Sequence, residues 1–216
     1  MSSLTRYYER PEYFARLVEL NHDPAARADR DRALIRALGE RPTGLDILDA
    51  GCGLGGFSAS LHAGNRITGV DVNEQCLRGI TEKLGYTTQR FDLEEPWPIA
   101  AFSFDLILFG DVLEHLFSTV DVLAQARRVV RPNGRVAVAV PNVGYWRRRI
   151  RLFCNGELTR EVEEHIRFFS PRSLAQAAAL AGLEIMVSYP YAWNSKSECQ
   201  LPIAWAWGFV SVFKPR

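Results

Sequence analysis

The sequence predicts a doubly wound α/β sheet of seven strands, the last antiparallel, with a helical cap at its N-terminus. Three observations carry this. Short apolar runs alternate with helical patterns, the runs are bounded by Gly, Asp, Asn or Pro, and no internal repeat breaks the alternation. Near-continuous apolar runs are what strands buried on both faces look like. The 216 residues suit one compact domain with additions, a cap over residues 1–40 and a sheet domain over 41–216.

The strands are expected at Asp46–Ala50, Arg66–Asp71, 86–91, 104–109 and 135–140. Helices are expected between them at 55–63, Glu74–Leu84 and 119–130, the last stopped by Arg131-Pro132-Asn133-Gly134. Ahead of the sheet, Pro11–Leu20 and Pro24–Leu38 each open on a proline, whose missing N–H costs nothing in a first turn. After the fifth strand a helix is expected over 144–153. Another follows over 172–181, opened by Ser170-Pro171 and ended by Gly182. Strands 183–189 and 204–213, joined by a polar loop over 194–200, complete the sheet as an antiparallel pair.

Composition excludes several classes. With 47% hydrophobic and 24% charged residues, the chain can bury a full core without disulfide staples. Lys plus Arg number 26 and Asp plus Glu 25, a net charge of +1, so nucleic acid is not an expected partner and any anionic surface would need a local patch. Cys52, Cys76, Cys154 and Cys199 lack C-x-x-C spacing, which argues against a zinc site and fits a reducing cytoplasm. No stretch approaches the ~18 apolar residues of a membrane span, and the N-terminus lacks the pattern of a signal peptide.

The chemistry begins at Leu48-Asp49-Ala50-Gly51-Cys52-Gly53-Leu54-Gly55-Gly56, directly after the first strand. Glycines are needed where a tight turn must let a ligand approach the backbone. The second strand ends in Asp71, placed to accept hydrogen bonds from two ribose hydroxyls, so loop and acid together point to an adenosine. Gly51, Gly53 and Gly56 also satisfy the G-x-G-x-x-G of NAD enzymes, which leaves an NAD-dependent oxidoreductase as an alternative. Three features favour methyl transfer. Asp49 would repel a pyrophosphate but suits a ligand bearing an ammonium and a sulfonium. Asp92-Leu93 offers an acid to an adenine amino group. Too little chain remains for the separate substrate domain of a dehydrogenase.

On these residues, 45–213 resemble a class I S-adenosylmethionine-dependent methyltransferase, a Rossmann-like fold. The resemblance implies that Asp49, Gly51, Cys52 and Gly53 hold the methionyl part of S-adenosylmethionine, Asp71 and Val72 the ribose, and Asp92 and Leu93 the adenine. Phe109, on the fourth strand, and Tyr8, from the cap, would complete that site. Pro141-Asn142-Val143-Gly144-Tyr145-Trp146-Arg147-Arg148-Arg149 is similar to the segment after the fifth strand in MetW-like methyltransferases. That likeness implies a further alternative, a non-catalytic donor-binding subunit of a partner protein.

The acceptor side is expected at Asp111-Val112-Leu113-Glu114-His115 and the distant His165. Methyl transfer needs a base only if the acceptor holds its proton, and His115 or His165, with Glu114, is the candidate for that role toward a small-molecule hydroxyl. Asp111, Glu114 and His115 at i, i+3 and i+4 would share one face of a helix, a spacing similar to the E-x-x-E-H of ubiquinone-biosynthesis O-methyltransferases and of metal-dependent RNA 2′-O-methyltransferases. A divalent metal therefore stands beside the base as a second use of the same residues, and the base without a metal is the expectation adopted. The basic run Arg147, Arg148, Arg149 and Arg151 is expected on a solvated helix face, with an anionic acceptor, RNA or a lipid headgroup as the alternatives. Tyr189, Tyr191, Trp193, Trp205 and Trp207 are expected to pack in the core.

Overall fold

The computed structural model describes residues 7–20, 24–156, 165–192 and 202–216. The 194–200 loop, Trp193 and Cys199 lie outside them. Helices α1 (Pro11–Leu20) and α2 (Pro24–Leu38) precede β1 (Asp46–Ala50) and β2 (Arg66–Asp71). Then come α3 (Glu74–Leu84), β3 (Thr87–Arg90), β4 (Phe104–Gly110), α4 (Thr119–Val129) and β5 (Val130–Pro141). The chain continues through α5 (Trp146–Asn155), α6 (Pro171–Leu180), β6 (Leu183–Tyr191) and β7 (Gly208–Pro215). The strands form one sheet in the order β3-β2-β1-β4-β5-β7-β6, with β7 antiparallel to both neighbours. The order reverses between β1 and β4, which opens a crevice at their carboxyl ends.

Strand alternation divides the core between the two faces. Ile47, Ile67, Leu106 and Leu108 pack on one side with Ala33, Leu34, Ala37 and Leu38 of α2 and Leu77 and Ile80 of α3. Leu48, Ile107, Phe109, Val136 and Val138 pack on the other with Val122, Leu123 and Ala126 of α4 and Leu174 and Ala178 of α6. Local signals set the helix ends. Asn73 caps α3 by accepting from the amides of Gln75 and Cys76, and Gly85 ends it at φ +68°. Ser170 opens α6 with a reciprocal capping box to Ser173. Among the described residues no helix is long and apolar enough to cross a membrane.

Several expected boundaries move for identifiable reasons. The helix expected over 55–63 is only a 3₁₀ turn at Ala59–Leu61. Gly55 and Gly56 open that stretch and weaken a helix there, and the Ser58 hydroxyl is spent on Asp49 instead of on a cap. The strand expected from 204 begins at Gly208, because Asn142 holds the preceding segment in another shape. Its Nδ2 donates to the carbonyls of Ile203 and Ala206 at 2.6 and 3.1 Å, and its amide to that of Trp207 at 2.9 Å. The same Asn142 takes the Gly144 amide on its Oδ1 at 2.9 Å, so α5 starts at Trp146, two residues late.

Candidate functional site

The glycine loop leaves β1 at the crevice. The amides of Gly51 and Cys52 donate to the Val70 carbonyl at 2.8 and 2.9 Å, and Gly55 donates to that of Cys52 at 2.7 Å. Gly51, Gly53 and Gly55 take φ of +76°, +48° and +76°, a region L residues avoid. A Cβ on Gly51 would lie 2.6 Å from Val112 Cγ2, and one on Gly55 2.8 Å from Ile80 Cδ1, so these two glycines let the loop close on its own fold. Above Gly53 the nearest atom is Leu17 Cδ1 at 3.9 Å. That is the open face of the loop. Cys52 beside it is buried, and burial pushes its thiol up, which leaves it a packing residue and no nucleophile.

Asp71 stands across from Gly53 and accepts its amide on Oδ2 at 2.9 Å, while Oδ1 accepts the amide of Asn73 at 2.8 Å. Burial raises its carboxyl above the usual range, and the amides of Asn73, Gly53 and Val72 pull it back. Each oxygen keeps a lone pair for a hydroxyl donor. Asp71→Ala is expected to weaken S-adenosylhomocysteine binding about tenfold or more, since charge-assisted hydrogen bonds contribute roughly 1.5–3 kcal/mol. Unchanged affinity in calorimetry would remove Asp71 from the site.

Asp49 is turned under the loop, where its Oδ2 accepts from Ser58 Oγ at 2.5 Å and Ser58 in turn lies 3.1 Å from the Tyr86 hydroxyl. Burial lifts its carboxyl from 3.8 to about 6, against the Ser58 hydrogen bond and the charge of Arg30. Because the folded value lies above the unfolded one, the stability this group contributes is present below 3.8 and is lost as pH rises through about 6. The step is on the order of 3 kcal/mol at about 1.36 kcal/mol per unit. Asp49→Asn should therefore melt progressively higher than the parent, without ligand, as pH rises across that window. A melting difference that stays flat with pH would contradict the assignment.

The cap reaches the same place. Asn73 Nδ2 donates to the Tyr8 carbonyl at 2.7 Å, and Glu9 pairs with Arg90, whose Nε donates to the Val72 carbonyl at 2.9 Å. The Tyr8 ring thereby sits 5.8 Å from that of His115. Asp92 takes the Glu94 amide on Oδ1 at 3.0 Å, and the buried Leu93 accepts Trp97 Nε1 on its carbonyl at 2.9 Å, which together shape the turn after β3. Phe109 departs from expectation. It is fully buried, its ring 6.4 Å from Trp97 in the core, so its side chain offers no surface to a ligand.

On the acceptor side, Leu113–His115 is a single 3₁₀ turn and not a helix, so the expected shared face does not form. Glu114 and His115 nevertheless meet His165. The amides of Ile166 and Arg167 both donate to the Glu114 carbonyl at 3.0 Å, and Arg167 Nε donates to that of Leu116 at 2.9 Å, which hangs the distant segment on this turn. The two imidazoles stand edge to face at 4.8 Å. One ligand atom from each of Glu114, His115 and His165 lies within 4.8 Å of the others. Glu114 is 1% exposed, and neither carboxyl oxygen has a hydrogen-bond partner among the described residues. Burial, and then the charge of Asp111, raise its carboxyl well above the ordinary range.

Asp111 is not part of that cluster. It adopts φ +56° and pairs with Arg30, while its Oδ1 accepts from the Tyr191 hydroxyl at 3.4 Å. Arg30 also donates to the Gly56 carbonyl at 3.0 Å and lies over the Phe57 ring at 5.0 Å. One side chain from α2 thus ties the end of the glycine loop to the start of the acceptor turn. Sequence reasoning missed it, although Arg30 falls three and four residues before Ala33 and Leu34, in line with the apolar stripe of α2.

The sequence profile of a family described as Methyltransferase domain matches residues 21–188. The chain is 29% identical over 192 residues to a ubiquinone biosynthesis O-methyltransferase of Aromatoleum aromaticum, covering 83% of this chain and 77% of that one. It is 33% identical over 168 residues to one of Methylocella silvestris, covering 71% of this chain and 62%, less than two thirds, of the relative. Among solved structures, a SAM-dependent methyltransferase of Thermotoga maritima, described as a possible histamine N-methyltransferase, superposes with a TM-score of 0.75 at 19% identity. The superposition covers 99% of this chain and all of that one. The methyltransferase bound to the Trm112 activator of Haloferax volcanii gives 0.72 at 15% identity, covering 99% and 97%. Both show a shared fold.

Proposed function

The chain belongs to the class I S-adenosylmethionine-dependent methyltransferases, and on that footing we propose that it moves a methyl group to an oxygen of a small-molecule acceptor. The observation that carries the oxygen is the Glu114–His115–His165 cluster at the carboxyl end of the sheet. An amine acceptor is nucleophilic once neutral, whereas a hydroxyl gains most from a base at the moment of attack. The ubiquinone O-methyltransferase relatives point the same way.

S-adenosylmethionine supplies a methyl group already activated on a sulfonium. Its cationic, diol-bearing chemistry fits the acids Asp49 and Asp71 and the open face over Gly53. Asp71 and Val72 would hold the ribose, Asp92 and Leu93 the adenine, and Asp49, Gly51, Cys52 and Gly53 the methionyl end. Tyr8 and the cap over residues 1–40 would close the donor from water, and most of the rate would come from alignment. His115 or His165 would take the acceptor's proton, with the Glu114 carboxyl buried beside them.

A metal is the second reading, favoured by the Glu114 carboxyl, which has no hydrogen-bond partner among the described residues and lies within 4.8 Å of a ligand atom on each imidazole. With Asp111 diverted to Arg30, the remaining set is one carboxylate and two imidazoles, which suits Mn²⁺, Fe²⁺ or Zn²⁺ better than Mg²⁺. Incubating the protein with methyl-labelled donor and fractionated cell extract, followed by mass spectrometry, tests the function. An O-methylated product formed equally with and without a chelator supports the base. Activity lost to the chelator and restored by Mn²⁺ selects the metal, and a product labelled on nitrogen overturns the oxygen assignment.

A further inference from the structure

The basic run forms the expected solvated face at Arg147 and Arg149, but not at Arg148. Arg148 turns inward, buried, with Nη1 donating to the Asn142 carbonyl at 2.8 Å and its guanidinium over the Trp207 ring at 5.1 Å. With that arginine facing in, helical spacing turns Ile150 and Phe153 outward, and the half-buried Trp146 lies on the same face one turn earlier. Ile150 is 54% exposed and Phe153 92% exposed. Arg147 and Arg149 flank this ridge on opposite sides, both exposed. Trp205, itself 53% exposed, extends the ridge at 5.5 Å from the Trp146 ring.

This is amphipathicity turned outward, an apolar ridge facing water with a cation on either side. A helix within the fold gains nothing from it. We propose that α5 is a docking face for an anionic lipid bilayer, lying in the interfacial plane with Ile150 and Phe153 in the acyl boundary and Arg147 and Arg149 among the headgroups. The charge pattern selects the occupant. The helix carries no acid among Trp146–Asn155, so its rim is purely cationic. A bilayer answers both an apolar ridge and a cationic rim without a shaped groove. Arginine stems can lie along the apolar boundary while their heads stay with phosphates, and indole rings favour that depth. A chain of net charge +1 has no global attraction to such a surface, so binding would rest on this patch and be reversible. The inference does not depend on the identity of the methyl acceptor.

The test is co-sedimentation of the full chain with vesicles of phosphatidylcholine alone and of phosphatidylcholine mixed with phosphatidylglycerol. Binding is expected to the mixed vesicles, several-fold weaker to the neutral ones, and released by about 0.5 M salt, where screening is nearly complete. Phe153→Asp, and separately the pair Arg147→Glu and Arg149→Glu, should each lower partitioning about tenfold or more with melting temperature unchanged, since these side chains are exposed. Any one of four results would overturn the proposal: no sedimentation, equal binding to both vesicle types, indifference to Phe153→Asp, or preferential binding of a single-stranded RNA oligonucleotide. So would a dimer in light scattering that Phe153→Asp dissolves, because the face would then belong to a second copy of the chain.

Discussion

Replacing His115 with alanine should lower turnover by roughly 10²- to 10⁴-fold, the usual contribution of a positioned general base, with S-adenosylhomocysteine affinity almost unchanged. The split is expected because His115 touches His165 and belongs to the cluster with Glu114, while the donor loop is built by Gly51–Gly56 and Asp71. His165→Ala should act in the same direction, and the double variant should cost far less than the product of the two, since the imidazoles act as one unit. The acid limb of the pH–rate profile should disappear in whichever variant removes the base. Wild-type turnover in both single variants would leave the cluster with a purely structural role.

The second large effect is expected at Gly51. A valine there must hold a φ of +76°, where a β-branched residue is strained, and its Cβ would lie 2.6 Å from Val112 Cγ2. Gly51→Val should abolish measurable donor binding while far-UV circular dichroism keeps the signature of the sheet, whose strands the loop only joins. The structure adds a rescue that the loop motif alone does not suggest. Combining Gly51→Ala with Val112→Ala should recover part of the affinity lost by Gly51→Ala, because the clash partner is removed, and a double-mutant cycle reads the coupling. Strictly additive effects would place the glycine's importance in backbone strain alone.

Elements with a local signal were legible in the chain. Pro11–Leu20, Pro24–Leu38 and Glu74–Leu84 keep their expected bounds because prolines, an Asn cap and a C-terminal glycine fix them within a turn. Asp71 is joined to the glycine loop by the Gly53 amide, which brings together the two features that the sequence assigns to one adenosine. What the chain hid is long-range. Nothing near Asp111 in sequence announces that Arg30, 81 residues away, will claim it, and that claim separates Asp111 from Glu114 and His115. Asn142 likewise reshapes 203–207 from 61 to 65 positions off, which no local period could show. The helical reading of 55–63 failed because Gly55, held at φ +76° where the loop closes on Ile80, and Gly56 weaken the helix that the apolar pattern alone would support. The arginine run was legible in part: Arg147 and Arg149 face solvent as expected, and only the packing of Arg148 against Trp207 shows which way α5 is turned.

Calorimetric titration of the purified chain with S-adenosylhomocysteine and, separately, with NADH tests the central claim most directly. The account predicts one S-adenosylhomocysteine per chain, with affinity falling as pH drops through about 6 and Asp49 takes up its proton, and no heat with NADH. Saturable NADH binding without S-adenosylhomocysteine binding would contradict it, since the same glycines would then be cradling a pyrophosphate.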